Sequence, residues 1–205
     1  VLTDDPNALL QVNPYLADIV MSLCRRAGIK PENIDVNELF DTLVVGYKCN
    51  TDDGVNKRID ALREMFIFDK SEADRKIYFP RRGREVVARI PYIHLVADDP
   101  SAIKETRLQE SELPKSVTVN HLDPAGGFAN NKQTVRRRSN LIKATKEQKV
   151  ESEVVLTADQ AMTSAVVKLK IAWHEQQTYQ FATMIGYAFV VPASVVEVED
   201  KDGNW

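Results

Sequence analysis

Apolar residues recur every three to four positions in NPYLADIVMSLCRRAG, residues 13–28, where Leu16, Ile19, Val20, Leu23, Cys24 and Ala27 share one helical face. Asn13 can cap that helix, Pro14 suits its first position, and Gly28 stands where helices commonly end. A short helix at 35–41 and a strand at 43–49, LVVGYKC, are expected next. Asp52 or Asp53 can cap a second helix, with Val55, Ile59, Leu62 and Phe66 along one side. Two strands at 67–69 and 76–79, joined by the polar turn SEADR, complete residues 1–84 as a compact α+β unit.

Pro80-Arg81-Arg82-Gly83-Arg84 reads as a joint, after which the pattern changes to long strands. These are expected at 85–96, 115–122 and 150–156, with a polar loop containing a helical turn at 97–112. One helix interrupts them at 158–176. Thr157 and Gln160 frame a capping box at its start, and Met162, Ala165, Val166, Leu169, Ala172 and Trp173 form its apolar stripe. A strand at 178–191 follows, with Tyr179, Phe181, Ile185, Tyr187, Phe189 and Val191 on one parity. Pro192 ends it, and SVVEVE starts another. Residues 85–205 thus form a second, β-rich domain, and the chain as a whole is α+β.

Composition changes this picture little. A chain of 205 residues, 43% hydrophobic and 28% charged, is an ordinary soluble globular sequence. A net charge of −3 supplies no global attraction to nucleic acid or membrane. No apolar run approaches the roughly 20 residues of a membrane span. The N-terminus carries neither an initiator Met nor signal-peptide regions, and VEVEDKDGNW has no evident stop, so a piece of a longer chain is expected. Cys24 and Cys49 make no zinc spacing with each other or with His94, His121 and His174, and read as small buried side chains.

Two places invite chemistry. In ELPKSVTVNHLDPAGGF, 112–128, His121 and Asp123 fall on the same side of a strand. Two ligands make no zinc site, Pro124 turns the chain out of the strand, and no helix follows Gly126-Gly127 to hold a phosphate. The stretch therefore reads as a strand terminator and turn. No G-x-S-x-G or H-E-x-x-H pattern occurs, so no catalytic, cofactor or metal residue is assigned. The other place is KQTVRRRSNLIKATKEQK, 132–149, where Lys132, Arg136, Arg137, Arg138, Lys143, Lys146 and Lys149 face a single Glu147. Such a run suits a phosphate-contacting arm, a solvated loop, or an edge meeting an acidic neighbouring subunit. With few interleaved aromatics it is no stacking platform for single strands.

Six stretches occur in an order that carries a family resemblance across about 16–200: LADIVMSLCRRAGI, IDVNELFDTLVVGYKC, RIDALREMFIFDKSEADRKIYFPRRG, QESELPKSVTVNHLDPAGGF, LTADQAMTSAVVKLKIAWHEQQTYQF and VVPASVVEVED. The chain resembles the tail-tip, or hub, proteins of long-tailed bacteriophages and gene transfer agents, often described as putative phage tail proteins. The basic run 136–149 is heavier than in that family, and VPAS departs from its turn near 192–194.

The resemblance implies a non-enzymatic, cofactor-free part of the virion, assembled in the host cytoplasm. It implies a homotrimeric ring closing the tail tube, with a barrel-like, tube-wall second domain. The implied partners are tail-tube, distal-tail and receptor-binding or fibre proteins, with DNA only as transiting cargo and no stable membrane insertion. Two other readings compete. One is a nucleic-acid-binding α+β module using 132–149. The other is a cell-wall glycan hydrolase, which would need a carboxylate pair in a cleft and would depend on Asp123.

Overall fold

The stripe read at 13–28 forms α1 (Leu16–Arg26), with Leu16, Ala17, Ile19, Val20, Leu23 and Cys24 buried. The computed structural model describes residues 14–47, 53–83, 85–96, 102–138 and 144–205. Tyr15 takes the N-cap position, so Pro14 precedes the helix instead of opening it, and Asn13 lies outside the described residues. The entry is held by neighbouring chain: Leu16 N–H donates to Thr42 O (2.8 Å) and Val44 N–H to Pro14 O (3.0 Å). At the other end Gly28 sits at φ +83°, a left-handed conformation that glycine adopts without strain. Its N–H donates to Arg25 O (3.0 Å) and that of Ile29 to Cys24 O (3.2 Å), satisfying carbonyls the helix leaves open.

Of the helix expected at 35–41, only a 3-10 turn at Asn37–Leu39 forms, preceded by β1 (Ile34–Asp35). Of the strand expected at 43–49, β2 (Gly46–Tyr47) pairs, while Lys48 and Cys49 lie outside the described residues. A Cβ on Gly46 would stand 3.0 Å from Val155 Cγ2, so the approach of the two strands selects glycine. α2 (Val55–Phe66) is capped by Gly54. Asp53 reaches Lys57 instead (2.6 Å), and Asp52 lies outside the described residues. The hairpin strands are β3 (Ser71–Ala73) and β4 (Lys76–Tyr78), later than 67–69. Ile67, left-handed at φ 54°, ends α2, and Phe68 makes only a single bridge to Arg81.

The stretch 85–96 does not form one strand. β5 (Val86–Ile90) stops at Pro91, which offers no N–H to a ladder, and a 3-10 turn precedes β6 (Leu95–Val96). β7 (Ile103–Arg107) forms where a polar loop was expected, because it pairs along its length with β11 (Gln177–Thr183); the helical turn follows at Glu110–Glu112. Between them lie β8 (Pro114–Asp123), β9 (Ala129–Arg136), β10 (Lys146–Val155) and α3 (Ala158–His174). β12 (Val195–Val198) ends the series. The expected capping box is present, with Gln160 N–H donating to Thr157 Oγ1 (3.3 Å) and Thr157 N–H to Gln160 Oε1 (3.0 Å).

The sheets run β2-β10-β8-β9, β1-β4-β3, β6-β11-β7 and β12-β5. All are open, so no closed barrel forms among the described residues, contrary to the barrel-like wall that the resemblance implied. Pro91 sends the two halves of 85–96 to different partners, β12 and β11, and no sheet has more than four strands, too few to close on itself.

Apolar side chains gather in two clusters. The larger draws on α1 and α2 before residue 84 and on β8, β10 and α3 after it, with Leu16, Leu23, Leu39, Leu62, Val117, Val119, Val154 and Leu156 sealed from solvent. Each such side chain contributes about 1.5–3 kcal/mol relative to exposure. The smaller holds Ile90, Leu95 and Ala102, with Tyr92, Ile103, Phe181, Tyr187, Val196 and Val198 packed half-buried around them.

The LDPAGG stretch turns β8 into β9. Asp123 accepts from Ala125 N–H (3.0 Å) and from Asn131 Nδ2 (3.1 Å), and Phe128 N–H closes on Asp123 O (2.8 Å). The Asn131 amide, then the Ala125 N–H, hold the Asp123 carboxyl below the ordinary carboxylate range. His121 is buried, with Nδ1 2.9 Å from Leu156 O.

Thr157→Ala removes half of the capping box and is expected to lower unfolding free energy by about 1 kcal/mol in urea titration. Leu23→Ala opens the first cluster and should cost about 2–5 kcal/mol in the same assay. Because the folded-state pKa of Asp123 is depressed, its contribution is complete above the unfolded value and lost as pH falls through the folded one. The melting-temperature gap between wild type and Asp123→Asn should therefore narrow below about pH 4. A gap unchanged down to pH 2 would contradict it.

Candidate interaction surfaces

The basic segment is largely strand. Lys132 lies on β9 opposite Asn120, and Arg136 ends β9 opposite Ser116 with its guanidinium 3.9 Å from Glu147. Arg137 follows: its N–H donates to Lys115 O (3.0 Å) and its guanidinium lies 3.8 Å from the Trp173 ring centre. Trp173 in turn donates Nε1–H to Pro114 O (2.9 Å). Arg137 is thus spent on seating α3 against β8. Arg138 is exposed, Lys146 begins β10 opposite Pro114, and Lys149 lies opposite Thr118. Lys143 lies outside the described residues. β9 is the sheet's outer strand, so Lys132 and Arg136 sit on an edge whose backbone groups are open to a neighbour. The segment's position on a strand edge was not legible as such, since residues 129–136 carry no alternating apolar pattern.

His121 and Asp123 do lie on the same side of β8, yet each is committed to the fold, His121 to the start of α3 and Asp123 to its turn. Among the described residues, no three His, Cys, Asp or Glu side chains gather in a group able to hold a metal ion. None of the described helices is long and apolar enough to cross a membrane.

Arg81 and Arg82 are strongly held. Arg81 N–H donates to Glu38 Oε2 (2.7 Å), its Nε to Glu38 O (3.1 Å), and its Nη2 to Asp41 and Thr42. Arg82 grips Asp69 in two bonds (2.9 and 3.1 Å) and reaches Glu175 beyond α3 (3.1 Å). The nearby Lys168, pushed below the ordinary lysine range by burial, stands 3.2 Å from Glu64.

Sequence reasoning missed a patch on the smaller cluster. Ile185, Tyr187 and Phe189 were expected on a strand, but β11 stops at Thr183. Met184 N–H still reaches His94 O (3.2 Å), and there the partner strand β6 gives way to the 3-10 turn Tyr92–His94. Lacking a partner, the backbone closes on itself through Tyr187 N–H to Met184 O (3.1 Å) and Ala188 N–H to Ile185 O (3.0 Å). Ile185 is left 89% exposed, Ile93 77% and Phe189 59%. An apolar run without charge reads the same whether it is buried or presented to a partner, so the sequence held no signal for it.

Comparison with known proteins agrees with this architecture. The chain aligns over 98% of its length with a chain of the gene transfer agent virion, at 23% identity and a TM-score of 0.85, covering 46% of that chain. A 43 kDa tail protein of prophage MuSo2 from Shewanella oneidensis aligns at 15% identity and a TM-score of 0.56, over 93% of this chain and 55% of that one. A tail protein from Neisseria meningitidis aligns at 11% identity and 0.58, over 94% and 59%. The chain thus spans about half the length of these solved relatives. No curated protein sequence matches it. A family model described as putative phage tail protein matches residues 55–205, from α2 through β12. The chain belongs to that family of phage tail proteins.

Proposed function

We propose that this chain is a non-enzymatic part of the tail tip, one subunit of a homotrimeric ring that closes the tail tube. The ring joins the tube and distal tail proteins to receptor-binding or fibre proteins, and DNA passes it only in transit. Membership of the phage tail family over 55–205 carries the reading. The fold is compatible with it: β7 and β9 are outer strands with polar residues, the kind of edge that a neighbouring subunit pairs or covers. The cations Lys132, Arg136, Arg138, Lys143 and Lys146 are assigned to the rim of that contact, facing an acidic neighbour, where charge sets orientation and salt sensitivity.

The position is tested on intact particles. Gold-labelled antibodies raised against this chain are expected at the distal end of the tail under the electron microscope. Label along the whole tube, or at the head, would overturn the tail-tip assignment. A rim role for the basic segment predicts that Lys132→Glu with Arg136→Glu leaves the far-ultraviolet dichroism unchanged and weakens self-association. A folded double variant that assembles like wild type would remove those residues from the contact.

A further inference from the structure

We draw no further inference here: the strongest candidate, the apolar tip that Ile93, Ile185 and Phe189 form at the two 3-10 turns of the smaller cluster, is an unpartnered apolar surface, and nothing in the structure shows what covers it.

Discussion

α3 is fastened to β8 at both ends, and the rest of the larger lobe is arranged around that match of lengths. His121 near the end of β8 meets Leu156 O just before the helix, and Trp173 near the helix end meets Pro114 O where β8 begins. Seven strand steps of about 3.3 Å span roughly 23 Å, and seventeen helical steps of 1.5 Å span roughly 25 Å. The helix therefore lies antiparallel along the strand, and a helix shorter by a turn would leave one fastening unmade. Because β10 runs parallel to β8 and ends at Val155, the chain arrives at the right end of the sheet to begin that return.

This constraint explains why polar side chains in the sheet are structural. A buried imidazole and a buried indole N–H each need a partner, since an unpaired polar group in the interior costs about 1–3 kcal/mol. The indole N–H and the imidazole Nδ1 meet carbonyls at element ends, where secondary structure leaves acceptors free, while His121 Nε2 is buried without a partner among the described residues. Arg137, stacked on Trp173, covers the same fastening from outside. A His-x-Asp pair and one arginine of the basic run are thereby absorbed into architecture, while Lys132, Arg136 and Arg138 stay exposed.

The three long helices and the turn that ends β8 were legible because their signals are local. The periodic stripe of α1, the Thr157–Gln160 box and the Asp123-Pro124 stop each act within a few residues. What the sequence hid depends on partners far along the chain. β7 is polar after Ile103 and is a strand because β11 lies beside it, and β11 ends opposite the first residue of β6. The parallel pairing of β8 with β10 leaves no mark in either strand. Pro91 was visible, yet its effect, sending 86–90 and 95–96 to different sheets, requires knowing that β12 and β11 wait on opposite sides. Ile185 was placed on a strand for the same reason.

Leu108 N–H donates to Gln176 O across 2.8 Å. The donor and acceptor sit on two of the chain segments that run between the larger and the smaller cluster, one leaving β7 and the other leaving α3. Fastened side by side, these segments form a single strap instead of two independent tethers. Pull applied along the tail would load the strap and the β7–β11 ladder beside it together, in parallel, so that no single bond carries the force alone. Twist between the lobes would be resisted where bending is allowed. Such a joint transmits load along one axis and yields along another.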